Sequence, residues 1–73
     1  MLLVPVVSSH LNAMGYDELT GELQIQFWNG TIYAYYGVPA EIYQGLVIAP
    51  SKGAYFHQFI RPRPDLYTPL RIL

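Results

Sequence analysis

Residues 22 to 36 read Glu22-Leu23-Gln24-Ile25-Gln26-Phe27-Trp28-Asn29-Gly30-Thr31-Ile32-Tyr33-Ala34-Tyr35-Tyr36. Leu23, Ile25 and Phe27 alternate with Gln24, Gln26 and Trp28, the period-two pattern of a strand. Thr31 to Tyr36 is β-branched and aromatic, and Asn29-Gly30 between the two runs supplies the chemistry of a type I′ turn. A two-residue loop would pair Trp28 with Thr31, Phe27 with Ile32, Gln26 with Tyr33, Ile25 with Ala34, Gln24 with Tyr35 and Leu23 with Tyr36. That register predicts a core face of Leu23, Ile25, Phe27, Ile32, Ala34 and Tyr36. The opposite face would then carry Trp28, Tyr33 and Tyr35 among Gln24, Gln26 and Thr31. Asn29-Gly30-Thr31 also matches a glycosylation sequon, but the turn explains it.

Working outward, residues 6 to 16 supply a third strand with imperfect alternation, and Asp17 to Gly21 form a polar loop into the hairpin. Downstream, Val38-Pro39 opens a helical pattern: Pro39 suits a first helical position, Glu41 favours the positive end, and Ile42, Tyr43, Leu46 and Val47 recur at three-four spacing. Gly45 weakens that helix and Pro50 stops it. A second short helix follows, with Ser51 as N-cap and Tyr55, Phe56, Phe59 and Ile60 on its apolar side. The expected fold is therefore α+β: a small antiparallel sheet of about three strands around the hairpin, packed by one or two short helices. Residues 1–60 read as one domain and residues 61–73 as an extended tail holding three of the six prolines. At about 3.3 Å per residue that tail reaches roughly 40 Å, enough to cross to a neighbouring subunit.

Composition sharpens the expectation of partners. A chain of 73 residues buries only about 60% of its unfolded surface. Hydrophobic residues make up 52% and charged residues 12%, half the usual charged share of about 25%. There is no cysteine for a disulfide, and two histidines alone cannot close a zinc site, so neither metal nor cofactor is expected. Association into a homo-oligomer is the support left. The net charge of −1 gives long polyanions little field-driven help. The apolar opening Met1 to Val7 lacks a basic flank and is cut by Pro5, so neither a signal peptide nor a membrane span fits and a cytoplasmic setting is expected.

Several motifs fall in order along the chain: Ser8-Ser9, Gly15-Tyr16-Asp17, the strand ending at Asn29-Gly30, Tyr33-Ala34-Tyr35, Val38-Pro39 with Tyr43, and Ser51-Lys52-Gly53 before Tyr55-Phe56 and Ile60-Arg61. Together, over roughly residues 6 to 61, they resemble the KTSC domain, named for the C-terminus of some lysyl-tRNA synthetases. The resemblance implies a small α+β domain, also found alone in bacterial and phage proteins, with no established catalysis and a suggested link to RNA. His57 stands where the family pattern leads one to expect a small amide.

Three groups of residues stand out as candidate binding sites. The rings of Trp28, Tyr33 and Tyr35 suit stacking on a base, at about 1–3 kcal/mol each, or equally a subunit contact. Ser51-Lys52-Gly53 at a helix start offers amide donors, a charge and close backbone approach for one phosphate, or merely a cap with a solvated lysine. Arg61 and Arg63, stiffened by prolines, offer guanidinium forks for phosphate or partners for Asp65 or Glu41. His57 is a further candidate for the base, although His10 and His57 also suit plain hydrogen bonding. Ser8, Ser9 and His10 on a strand would point to opposite faces, and the five carboxylates show no paired-acid spacing, so the chain reads as non-enzymatic. The function expected is binding of a nucleotide-type small ligand near a subunit interface, with sequestration of a nucleotide signal if the protein is phage-borne. Single-stranded RNA or tRNA binding, and a structural protein–protein module, are the alternatives.

Overall fold

The computed structural model describes residues 1–73. Five antiparallel strands, β1 (Val4–Pro5), β2 (Leu11–Asp17), β3 (Glu22–Phe27), β4 (Ile32–Tyr35) and β5 (Pro69–Arg71), lie side by side in chain order. Between β4 and β5 the chain forms α1 (Ala40–Ile48), then α2 (Lys52–Tyr55), which runs directly into a π-helical turn over Phe56–Ile60. The α+β class agrees with the sequence, but the sheet has five strands rather than about three. The two extra strands are edges of two and three residues, each holding a proline, too short to show a period.

The hairpin corrects the predicted register by one residue. Phe27 N–H donates to Thr31 O at 2.9 Å and Gly30 N–H donates to Phe27 O at 3.0 Å, so the loop is three residues, Trp28-Asn29-Gly30. Gly30 takes φ +89°, whereas no non-glycine residue has positive φ, and a type I′ turn would need Asn29 there as well. Asn29 instead uses Oδ1 to accept from Thr31 N–H (3.0 Å) and Thr31 Oγ1–H (2.7 Å). Leu23 therefore faces Tyr35 and Ile25 faces Tyr33. The slip moves Tyr33 and Tyr35 to the helix-packed face and sends Ile32, Ala34 and Tyr36 to the other. Tyrosine rings bury more apolar area than alanine or isoleucine, which favours this register.

The core joins Leu11, Met14, Leu23, Ile25 and Tyr35 of the sheet to Val38, Leu46, Phe56, Ile60 and Tyr67. Pro39 is the N-cap of α1 rather than its first residue, its carbonyl accepting from Ile42 and Tyr43 N–H. A side chain at Gly45 would collide with the Tyr55 ring, whose hydroxyl donates to Ile42 O at 3.0 Å, so that glycine is a packing requirement. Ser51 caps α2 as expected, accepting from Ala54 N–H at 3.3 Å. The widened turn, closed by Arg61 N–H donating to Phe56 O at 2.9 Å, buries Phe56 and Ile60 and leaves Phe59 partly exposed.

The tail, long enough to cross to a neighbour, closes on its own sheet. Tyr67 enters the core, and β5 pairs with β4 through Arg71 opposite Tyr33, Leu70 opposite Ala34 and Pro69 opposite Tyr35. No helix is long and apolar enough to cross a membrane.

Candidate functional site

The corrected register and the returning tail together build a cleft of about 500 Å³ at the Asn29–Thr31 end of β3. Its aromatic wall is a run of rings: Phe27 meets Tyr33 edge-on at 6.1 Å and Phe56 at 5.7 Å, Tyr35 meets Phe56 at 5.4 Å, and Tyr33 and Tyr35 lie nearly parallel at 6.4 Å. Arg61, just past the π turn, and Arg71 on β5 supply two guanidinium groups. Asn29 and Thr31 complete the lining, which includes no Asp or Glu side chain. The volume lies within the range of about 300–1,000 Å³ usual for small-ligand sites.

Burial raises the Tyr35 phenol to about 12, opposed by the positive charge of Arg61 and reinforced by Tyr33. Tyr35 is thus a neutral donor and acceptor at physiological pH. Arg61 Nη1 lies 3.2 Å from His57 Nδ1, which fixes one side of the fork. Arg71 Nε–H donates to Leu73 O at 3.4 Å.

Of the residues singled out in the sequence, Tyr33, Tyr35 and Arg61 meet in the cleft, and His57 stands behind Arg61. Trp28 does not share their face: it sits in the loop, 60% exposed, and its indole N–H donates to Ser8 O at 3.0 Å. Lys52 does not stand free at a phosphate site, because Nζ donates to Val47 O (3.1 Å) and Ala49 O (3.4 Å) at the end of α1. Gly53 is buried, and an added Cβ would lie 2.7 Å from His10 Nδ1, so close backbone approach there serves the imidazole. Arg63 is exposed, its carbonyl accepting from Leu66 and Tyr67 N–H. Arg71 was not identified from the sequence, since only the pairing of β5 brings it beside Tyr33.

The expectation for Ser9 and His10 also needs correction. They precede β2 instead of lying on it, so strand alternation does not apply, and Ser9 Oγ comes within 3.1 Å of His10 Nδ1. The His10 ring meets that of His57 edge-on at 5.6 Å. Ser8 Oγ accepts from the N–H groups of His10 and Leu11, a turn-forming role.

A larger depression of about 720 Å³ lies at the other end of β3, lined by Asp17, Glu18 and Glu22 with Tyr16. Tyr16 stacks on Tyr43 at 4.4 Å and donates to Val38 O at 2.6 Å. Its phenol is pushed up by burial first, then by Glu18, Glu41 and Asp17. Three carboxylates make this end unsuited to anions.

Fold and cleft define a class: a small α+β domain whose returning C-terminal strand completes a basic, aromatic pocket. The KTSC domain profile matches residues 7–63, and the chain belongs to that family. It is similar to an uncharacterised protein of Stutzerimonas stutzeri, 38% identical over 92% of this chain and 94% of the relative. It is also 43% identical to part of a lysine–tRNA ligase of Nostoc, a match covering 73% of this chain and 9% of the ligase. The crystal structure of a KTSC domain protein from Yersinia pestis superposes with a TM-score of 0.88 at 34% identity, covering 99% of this chain and 97% of that one.

Proposed function

We propose that this domain is a non-enzymatic module binding a small nucleotide-type ligand in the cleft of Tyr33, Tyr35, Arg61 and Arg71. One observation carries the reading: two guanidiniums and a wall of rings share a 500 Å³ space that no Asp or Glu side chain lines. Guanidinium forks hold phosphate oxygens, and phenol and phenyl faces hold a base. A stand-alone copy would then act by holding its ligand, which for a phage-borne copy amounts to sequestering a nucleotide signal. Native mass spectrometry of protein purified from cells is expected to show a bound mass in the nucleotide range, lost in Arg61→Ala. A wild-type protein free of such mass, and whose melting temperature no nucleotide raises, would rule the reading out.

A homo-oligomer is part of the proposal, supported by the exposure of Trp28, Leu70, Ile72 and Leu73. Light scattering showing a monomer at micromolar concentration would remove that part.

The lysine–tRNA ligase relative supports a second reading, RNA or tRNA binding. The two are separable by salt. Two cleft arginines displace about two counterions, so small-ligand affinity falls only mildly, with a log–log slope of about −2 at most. A slope several-fold steeper with tRNA would favour the second reading.

A further inference from the structure

The cleft is assembled from parts that stand differently in the fold. Tyr35 and Phe56 belong to the core, and Arg61 follows directly on the π turn. Arg71 comes from β5, all of whose residues are exposed. That strand is held by backbone pairing, including Ile72 N–H to Ile32 O at 2.8 Å and Ile32 N–H to Leu73 O at 3.0 Å, while Tyr67 is the tail's anchor in the core. An edge held by exposed backbone hydrogen bonds opens at lower free energy than the whole domain. Arg71 uses Nε on Leu73 O, and its other N–H donors remain for the cleft it lines.

We infer that β5 is a ligand-coupled latch: Arg71 is the second anion-binding residue of the cleft, so binding a phosphorylated ligand and docking the C-terminal strand are one linked equilibrium. The inference rests on the nucleotide reading and adds its regulation. A ligand that needs Arg71 binds the docked state, shifts the population toward it, and loses apparent affinity in proportion to the fraction undocked.

The test uses the full chain with ATP and AMP as probes. Hydrogen exchange at the Ile72 amide is expected to slow at least several-fold when the probe saturates. Arg71→Ala should weaken binding about tenfold or more with little change in melting temperature. Ile72→Pro, which removes the bond to Ile32 O but keeps the Arg71 side chain, should weaken it comparably. If Arg61→Ala abolishes binding while Arg71→Ala and Ile72→Pro bind like wild type and Ile72 exchange is unaffected, the latch is wrong and the cleft reading stands. If neither probe binds, or both arginine variants bind normally, latch and reading fall together.

Discussion

The two ends of β3 carry opposite chemistry. At its start Asp17, Glu18 and Glu22 surround an open depression beside Tyr16; at its finish Arg61 and Arg71 face a wall of rings. A net charge of −1 conceals this separation. Whole-chain charge argues against a long polyanion, whereas the distribution favours a compact one at a single end, since exposed charges beyond about 8–10 Å are largely screened at physiological salt.

The largest expected effect breaks the comparison at the level of packing. Phe56 is fully buried and forms the cleft's floor, so Phe56→Ala should cost about 3–5 kcal/mol in a denaturant titration. Leu19, at the acidic end and 93% exposed, should tolerate alanine within about 0.5 kcal/mol. Equal costs would mean that the two ends are not built differently.

Charge reversal comes next. Arg61→Glu should reduce nucleotide affinity by about 1.5–3 kcal/mol or more, or at least tenfold, by isothermal titration, while Glu18→Lys should leave it within about twofold. An equal loss from Glu18→Lys would place the ligand at the other end.

An alkaline titration separates the tyrosines. The Tyr35 phenol is raised from 10 to about 12, so its neutral form is favoured in the fold. The stability this represents is fully present below pH 10 and is lost as pH rises through about 12, because the unfolded chain releases the proton first. Melting followed across pH 9–12 should show a shallower decline in Tyr35→Phe than in wild type. Tyr16 and Tyr55 are shifted the same way, so some decline persists in the variant.

The smallest effect concerns Lys52. Its ammonium serves the carbonyl end of α1, so Lys52→Met should cost about 0.3–1 kcal/mol of stability and leave nucleotide binding unchanged. A selective loss of binding with stability intact would restore the phosphate role suggested by the Ser51-Lys52-Gly53 motif.

Local signals were legible where they were strong. Alternation placed β3, Asn29-Gly30 marked the reversal, Pro39 and Pro50 bracketed α1, and Ser51 capped α2. The one-residue slip was not legible, because two-residue and three-residue loops both accept Asn-Gly and differ in the backbone conformation of Asn29, whose side chain here holds the turn. Of the candidate site, Tyr33, Tyr35 and Arg61 were named from sequence, but the two tyrosines for a face that the slip turned over. Trp28, Lys52 and Gly53 were named for chemistry that their neighbours Ser8, Ala49 and His10 absorb.

The chain's own residues determined the α+β class, the order of hairpin and helices, and the supply of rings and guanidiniums, because periodicity, capping and turn chemistry act over a few neighbouring positions. Tertiary structure alone decided which rings share a face and which arginine joins them. Those outcomes depend on Arg71 meeting Tyr33 across β5 and β4 and on Phe56 packing against Tyr35, contacts between residues far apart in sequence.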